Sequence, residues 1–315
     1  MKFTQIAASN DLTRKAVPEL LKKSVLLSDY VEFFQKPGSA VSFRKAGNSD
    51  KVSSQTRVLG QPYPETTFTP EYGTALRKLS GDQVRIDVAL QNFGYDLYSE
   101  FEANLMRHMR DFPGIFHNML INGDPEVDAK QFAGLKALVF DARKHVPNAN
   151  GIELKQGNDN TAKTAQQKFL EALDETIALC EGNNKVLIMN SKTLSRLNSV
   201  AREYLTWTRN DFGVQTRLYN NIPIVDPGEY QTAVGAYSPI IGFNETCGTA
   251  VDKCASVYCV NFEQEDGMSF ATCENGFMVY DMVRVDNWLK ATYELICDSA
   301  LIRPSALSKL EGLYL

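Results

Sequence analysis

The chain has 315 residues, of which 43% are hydrophobic and 23% charged, so it can bury the core of one large domain or two moderate ones. Its net charge of −5 argues against a dedicated nucleic-acid-binding protein, because such proteins are usually basic. No segment approaches the roughly 20 apolar residues that span a bilayer. The polar start Met1–Gln5 lacks the apolar core of a signal peptide, so we expect residence in a cytoplasm.

The first 90 residues divide into two predicted segments. Residues 1–38 are predicted to form an extended arm with one short helix over 17–34, ended by Pro37-Gly38. Residues 39–90 are predicted to form strands on either side of a long polar excursion. The strands are marked by apolar residues that alternate with polar ones: Val41, Phe43, Val84, Ile86 and Val88. This segment has too few apolar residues for its own core, so it needs either disorder or a partner surface.

The clearest helix is predicted over residues 96–121, where apolar residues recur every three or four positions. Pro113-Gly114 is expected to kink or divide it. A second helix is expected to start at Thr161 or Thr164 as its N-cap and to contain Phe169, Leu173 and Ile177 on its inner face.

The second half of the chain alternates strand and helix patterns before becoming mainly β. A buried strand is predicted over 185–189, followed by a helix over 192–204 that Asn190 or Ser191 would cap. Another strand is predicted within 221–228. The later strand candidates are 257–262, 278–285 and 293–297.

The sequence contains no recognisable catalytic or ligand-binding motif, so we predict no catalytic residue, no cofactor and no metal site. The six cysteines include no Cys-x-x-Cys pair, and the three histidines lie far from them in sequence. We interpret the cysteines as reduced thiols, with a single bridge within 247–259 left open. Neither Gly-rich phosphate-binding motif occurs. His108 and His117 lie on the predicted long helix, where packed or surface histidines are the favoured interpretation.

Four passages, in this order and spacing, resemble the Hong Kong 97-type major capsid proteins of tailed bacteriophages. The first is the helix exit at 120–124 with Phe132–Leu135, which is similar to the end of the family's spine helix. The second and third are Leu187–Leu194 and Asn221–Val225. The fourth is the C-terminal passage, which comprises Val283–Trp288, Tyr293–Leu295, Ala300–Leu307 and Leu310–Gly312. The resemblance covers nearly the whole chain.

The resemblance implies an α+β fold and five segments. These are an N-terminal arm (1–38), an extended β-hairpin loop (39–90), a peripheral domain with the spine helix (91–184), an axial domain (185–270), and strands that return to the peripheral domain with the C-terminus (271–315). In the family, the coreless hairpin loop is laid across a neighbouring subunit. The implied protein is therefore not an enzyme but a structural subunit that acts through self-assembly.

The implied assembly is an icosahedral head built from hexamers and pentamers, found in the virion and assembled in the host cytoplasm. Expected partners are other copies of the chain, a separate scaffold protein, a portal and a decoration protein, with no membrane. Packaged double-stranded DNA would be contacted weakly and without sequence specificity. The candidate interface residues are basic or aromatic: Lys51, Arg57, Tyr63, Arg77, Arg107, Arg110 and Trp207.

Two alternatives stay open at this stage. An encapsulin-like nanocompartment has the same fold but encloses enzymes, and the helix near Leu20–Phe34 is compatible with the N-terminal helix that encapsulins use to receive cargo. An α+β enzyme is disfavoured by the missing motifs. Lys51 invites comparison with relatives that form an isopeptide bond, but no matching asparagine is identifiable, so a solvated loop lysine is the favoured interpretation.

Overall fold

The computed structural model describes residues 1–45, 58–61, 71–147, 149–155, 157, 159–210, 213–233 and 235–315. Within these residues the helices are α1 (Phe3–Ile6), α2 (Asp11–Lys23), α3 (Leu97–Asn122), α4 (Leu135–Leu138), α5 (Asn160–Leu179) and α6 (Ser191–Val200). The chain therefore mixes helices and strands, as the sequence predicts.

The strands fall into two large sheets and two hairpins. In chain order they are β1 (Phe33–Gln35), β2 (Ala40–Lys45), β3 (Glu71–Leu76), β4 (Lys78–Asp87), β5 (Lys144–His145), β6 (Ile152–Glu153), β7 (Lys185–Ile188), β8 (Leu205–Arg209), β9 (Gln215–Tyr219), β10 (Ile222–Val225), β11 (Glu229–Ala233), β12 (Ala236–Pro239), β13 (Glu245–Cys247), β14 (Ala250–Asn261), β15 (Met268–Val279), β16 (Val283–Val285), β17 (Trp288–Leu301) and β18 (Leu307–Tyr314).

The first large sheet has five strands in the order β1-β15-β17-β16, and β4 runs antiparallel along β17 from Trp288 to Cys297. Helix α3 packs against this sheet, and their side chains form the main hydrophobic core. Phe270 of β15 lies at its centre, with its ring centroid 5.5 Å from that of Phe116 and 5.4 Å from that of Phe132. Aromatic packing thus joins the sheet to the long helix.

Helix α3 is one continuous helix of 26 residues that includes Pro113. Pro113-Gly114 was expected to kink or divide this helix, and the structure shows that it does not divide it. Gly114 has a packing role instead, because a Cβ there would lie 2.8 Å from the backbone oxygen of Glu229 in β11. The glycine lets the β11–β12 hairpin lie against the helix backbone.

The second large sheet has nine strands in the order β5-β18-β14-β7-β10-β9-β8, with β13 and β6 at its margin. Its second core includes Phe169 and Leu173 of α5 and Leu197 of α6. Asn190 caps α6 by accepting a hydrogen bond from the backbone nitrogen of Thr193, as predicted. The predicted threonine cap of α5 is wrong: the N-cap is Asp159, and the Thr164 hydroxyl donates to the Asn160 carbonyl within the first turn.

The N-terminal residues do not form an extended arm, and that prediction is wrong. Helix α2 begins earlier than predicted, because the Asn10 side chain caps it. Phe3, Ile6 and Leu20 are fully buried in the main core, and β1 pairs with β15. Apolar residues of this segment therefore fold back onto the same subunit, where they gain the free energy of burial without a partner.

The two sheets draw on distant parts of the chain. Strand β17 belongs to the five-stranded sheet, whereas β18 pairs with β14 in the nine-stranded sheet. Helix α5, from the predicted 91–184 segment, contacts β18 in that same sheet. The five predicted segment boundaries remain a prediction, and the sheets themselves are built by strands that cross them.

Candidate assembly surfaces

The β2–β3 hairpin is the base of the predicted excursion. Its strands pair antiparallel from Ala40 opposite Leu76 to Lys45 opposite Glu71, and its residues alternate between buried and exposed. Val41, Phe43 and Ala75 form a small core with apolar residues of β15 and β17. The opposite face leaves Tyr72 64% exposed and Leu76 55% exposed. The hairpin is thus anchored by its inner face and exposes two large apolar side chains on a mixed outer face.

Arg77 fastens this base to the five-stranded sheet. Its guanidinium donates hydrogen bonds to the backbone carbonyls of Lys36 and Gly38, and to that of Thr272 at 2.8 Å. These three carbonyls belong to the segment before β2 and to β15. Because a planar guanidinium presents five donors in a fixed geometry, one side chain can hold all three. Arg77 therefore sets the angle at which the hairpin leaves the body of the subunit.

Asp298 of β17 makes a second connection at the same place. Its carboxylate accepts hydrogen bonds from the backbone nitrogens of Ser299, at 2.8 Å, and of Leu76 at the end of β3. Burial raises the pKa of this carboxyl to about 6, and the two backbone hydrogen bonds and Lys78 oppose that rise. The carboxylate therefore titrates near neutral pH at the point where the hairpin meets the sheet.

A groove of about 700 Å³ separates the hairpin from the loop that follows α3. Its lining includes Phe43 and Leu76 of the hairpin and Phe132 and Phe140 of the segment after α3. Phe140 remains 53% exposed. An exposed apolar groove of this kind marks an interaction surface more often than an ordinary solvated surface.

A second candidate surface lies at the far edge of the nine-stranded sheet. Strand β8 is the edge strand, and Trp207 on it is 58% exposed. The Arg217 guanidinium stacks over the Trp207 ring at 4.7 Å from its centroid, so the indole is held in place while it faces solvent. Aromatic and arginine side chains of this kind are enriched in protein interfaces.

The structure brings the candidate interface residues together only in part. Arg77 and Trp207 lie on the two separate surfaces described above. Arg107 and Arg110 lie on the exposed face of α3, where Arg110 is 3.3 Å from the carboxylate of Glu19. The predicted residues Lys51, Arg57 and Tyr63 lie outside the described residues.

Sequence reasoning missed Asp298, Phe140 and Arg217. No motif marks Asp298, and its role comes from a backbone nitrogen more than 200 positions away in the chain. Phe140 lies in no predicted element, and its exposure on the groove follows from the tertiary structure. The Arg217 contact with Trp207 could have been found, because β8 and β9 form a hairpin in which residues 207 and 217 are direct partners.

His117 of α3 connects three distant parts of the chain by hydrogen bonds. Its Nδ1–H donates to the backbone carbonyl of Pro227 at 2.9 Å, and its Nε2 lies 2.7 Å from the Ser24 hydroxyl, which then donates to it. The ring is 4% exposed. Burial lowers its pKa to about 4, although the hydrogen bond to Pro227 opposes this. The neutral imidazole is therefore part of the folded structure at neutral pH.

This burial predicts an acid-sensitive contribution to stability. The folded pKa of about 4 lies below the unfolded value of 6.5, so the unfolded chain binds the extra proton between these two pH values. Compared with the His117→Gln variant, the wild type should lose about 3 kcal/mol of unfolding free energy as the pH falls from 7 to 4. Urea denaturation of both proteins across this pH range measures the difference.

His108→Gln is the matched control, because His108 lies on the same helix, is partly exposed, and contacts Asp82 at 3.3 Å. This variant should still lose about 3 kcal/mol of unfolding free energy between pH 7 and pH 4, because His117 is intact. Asp298 titrates in the opposite direction, since its raised pKa favours the folded state as the pH falls through about 6. Because Asp298 is present in both proteins, its contribution cancels when the unfolding free energy of His117→Gln is subtracted from that of the wild type at each pH. If the difference in unfolding free energy between the wild type and His117→Gln were the same at pH 7 and pH 4, the assigned role of His117 would be contradicted.

Within the described part of the chain, no three His, Cys, Asp or Glu side chains form a group that could hold a metal ion. None of the helices there is long and apolar enough to cross a bilayer. Asp266, one of the acidic residues of the 263–266 turn, forms an ion pair with Arg303 at 2.5 Å.

No protein-family model matches the sequence, and no curated protein matches it. Solved structures match by fold. A chain of the holo-SrpI encapsulin complex from Synechococcus elongatus PCC 7942 has a TM-score of 0.60 at 10% identity, with 98% of this chain and 91% of that chain covered. A chain of the satellite phage P4 procapsid including size determination (Sid) protein has a TM-score of 0.51 at 11% identity, covering 96% and 100%.

A capsid chain of the native GTA particle has a TM-score of 0.54 at 10% identity, with 94% of this chain and 90% of that chain covered. Identities this low show the fold alone. The chain thus has the mixed α and β fold, like that of Hong Kong 97, that phage capsids and encapsulins share.

Proposed function

We propose that this chain is the major capsid protein of a tailed bacteriophage, a structural subunit that assembles into hexamers and pentamers of an icosahedral head around genomic DNA. The observation that carries the proposal is the fold likeness, which extends over more than nine tenths of this chain in particle-forming proteins. Such likeness over the full length favours a subunit whose whole surface serves assembly.

The surfaces support this proposal physically. A shell subunit needs lateral contacts on several sides, and closed symmetry requires that each contact surface meets a complementary one on another copy. The β2–β3 hairpin is fixed by Arg77 and exposes Tyr72 and Leu76 on its outer face, so it is suited to lie across a neighbour as the extended loop. In the same proposal α3 is the spine helix, the five-stranded sheet belongs to the peripheral domain, and the nine-stranded sheet to the axial domain.

The further partners in this proposal are a separate scaffold protein, a portal, a decoration protein and double-stranded DNA. DNA contact would be weak and would depend on salt, because it would rest on scattered basic side chains such as Arg107. Assembly would occur in the host cytoplasm, and the mature location would be the virion.

A second candidate function is that of an encapsulin-like nanocompartment, and one observation favours it. Helix α2 packs against α3 of its own subunit, with Lys15 2.5 Å from Glu102 across the exposed side of the contact. A helix held against its own subunit is compatible with the N-terminal helix that encapsulins use to receive cargo. The two candidates share the shell and differ in what it encloses.

Sedimentation velocity on the purified chain tests the shared part of the proposal. Across a range of protein and salt concentrations, we expect capsomers or larger particles that sediment far faster than a subunit of 35.2 kDa. A species that remains monomeric under all these conditions would contradict self-assembly. Efficient shells of one size from the chain alone would argue against a required scaffold protein.

The contents of particles isolated from their natural source separate the two candidates. Nuclease-protected double-stranded DNA inside the shell is the result expected for a phage head. Shells that contain a protein but no protected DNA would support the nanocompartment and contradict the phage assignment.

A further inference from the structure

The β8–β9 hairpin forms one edge of the nine-stranded sheet, and its outer strand is open on one side. Within the described residues, β8 pairs with β9 alone, from Leu205 opposite Tyr219 to Arg209 opposite Gln215. Only the last three residues of β9 pair with β10, so the end of the hairpin projects beyond that strand. Native proteins usually guard an open edge of this kind with charges or cover it with another chain segment.

The side chains of this edge are aromatic and basic. Tyr204 and Trp207 are both more than half exposed. Arg202 and Arg209 are exposed as well, and neither forms an ion pair with a described carboxylate. Because Arg217 stacks over the Trp207 ring, three guanidinium groups accompany two exposed rings. This combination favours burial against a protein surface that presents both apolar side chains and carboxylates.

The opposite edge of the same sheet carries a cleft of about 950 Å³. It lies between α5 and the edge that β5 and β6 form, where both strands pair with β18. Its apolar lining includes Pro147 and Tyr314, and the adjacent Val146 is exposed. The cleft therefore offers apolar surface of the kind that could cover the exposed rings of a β8 edge.

Carboxylates outnumber ammonium groups in this cleft. Three glutamates line it, Glu153, Glu171 and Glu175, together with two lysines, Lys155 and Lys168. Lys155 is paired with Glu153 at 3.2 Å, and Glu175 contacts the His145 ring at 2.9 Å. Glu171 forms no ion pair with a described residue. The cleft therefore has carboxylates that can receive the arginines of another surface.

We propose that the β8 edge of one copy docks into the cleft at the β5 and β6 edge of a second copy. The charges of the two surfaces are complementary: residues 190–210 include four basic residues and one acidic residue, whereas residues 169–184 include four acidic residues and no basic one. Contact between two β8 edges would instead bring like-charged arginines together, which is unfavourable. Because the two surfaces lie at opposite edges of one sheet, the contact is head-to-tail and can close into a ring. This inference rests on the proposed function and names the surface that meets Trp207 within a capsomer.

Charge reversal on each surface tests this contact. The β8 variant combines Arg202→Glu with Arg209→Glu, and the cleft variant combines Glu171→Lys with Glu175→Lys. Each should raise the protein concentration needed for assembly at least about tenfold in sedimentation at low salt, because like charges then meet. A chain with all four substitutions should assemble within about threefold of the wild-type concentration, because every contact is complementary again. Added salt should reduce the defects of the β8 and cleft variants by screening the repulsion.

The matched control combines Arg14→Glu with Lys23→Glu, which makes the same change in net charge at exposed positions of α2 and should assemble as the wild type does. A control with the same defect as the β8 variant would overturn the inference, because the defect would then follow net charge. Reversed variants that assemble normally, or defects that the fourfold substitution does not repair, would overturn it and leave the proposed function standing. A wild type that never assembles would overturn both.

Hydroxyl-radical footprinting of the unsubstituted chain gives a second test that does not depend on the folding of any variant. Oxidation of Trp207 in β8 and of Tyr314 in the cleft should both fall when subunits assemble, because each ring is then covered by the other copy. Unchanged oxidation of either ring in assembled particles would overturn the proposed contact.

Discussion

Replacing Phe270 by alanine is expected to destabilise the subunit by about 3–5 kcal/mol, the range measured for large aromatic side chains in cores. Phe270 is fully buried, and its ring contacts those of Phe33, Phe116 and Phe132 at centroid distances of 5.4 to 5.8 Å. Removing the ring would leave a cavity where β1, β15 and α3 meet. The main core would therefore lose packing contacts with all three elements. Urea denaturation of the unassembled subunit measures the change.

The matched control is Phe140→Ala, because Phe140 is 53% exposed and should change stability by less than about 0.5 kcal/mol. An effect below about 1 kcal/mol for Phe270→Ala would show that this core does not depend on the aromatic cluster. Since folded domains are stable by only about 5–15 kcal/mol, the expected loss is a large fraction of the total.

Replacing Arg77 by alanine is expected to impair assembly strongly while leaving the subunit folded. The variant removes three hydrogen bonds to backbone carbonyls at the base of the β2–β3 hairpin. Hydrogen bonds from a charged donor contribute about 1.5–3 kcal/mol each. If each contact between a hairpin and a neighbouring subunit loses about 1.4 kcal/mol of binding free energy, the dissociation constant of that contact rises about tenfold. We therefore expect the concentration needed for assembly to rise at least about tenfold, as measured by sedimentation against protein concentration.

Two variants distinguish this effect from a loss of charge. Arg14→Ala removes an exposed arginine from α2 that is not among the candidate interface residues, and it should assemble as the wild type does. Arg77→Lys keeps the charge but cannot reach all three carbonyls, so it should assemble poorly. Normal assembly of Arg77→Ala would show that the angle of the hairpin is set elsewhere. The melting temperature of each variant reports whether the fold is intact.

The helices could be predicted from the sequence because their information is local. The apolar period of α3 is carried by consecutive turns, and the structure confirms the helix to within one residue at each end. The N-terminal segment shows the limit of this reasoning. Its helix was identified from apolar spacing alone, and the Asn10 cap that sets its start was overlooked. Its burial depends on the distant β15, which no local pattern reveals.

Strand β15 of the five-stranded sheet was harder to predict because both faces of its first half are covered. Residues 268–272 of β15 are all buried, so the alternation of polar and apolar residues that marks a half-buried strand is missing. The sequence analysis ended one strand candidate at residue 262 and began the next at residue 278, so it missed the first half of β15. The register shift in β15 between Thr272 and Phe277 further interrupts the pattern.

The sequence analysis selected residues for the candidate surfaces by their type, but it did not predict which residues they contact. Arginine and tryptophan were selected because such residues are frequent in interfaces, and Trp207 is indeed exposed. The specific role of Arg77 depends on Thr272, nearly 200 positions away. Contacts between segments so distant in sequence arise from topology, and topology entered the sequence analysis only through the resemblance to a known fold.

Electron cryomicroscopy of particles assembled from the purified chain, with the scaffold partner if one is needed, tests the central claim most directly. We expect closed icosahedral shells with fivefold and sixfold capsomers, in which the β2–β3 hairpin of each subunit lies on a neighbouring copy. Subunits that stay monomeric, or particles in which the hairpin contacts no other copy, would contradict the account.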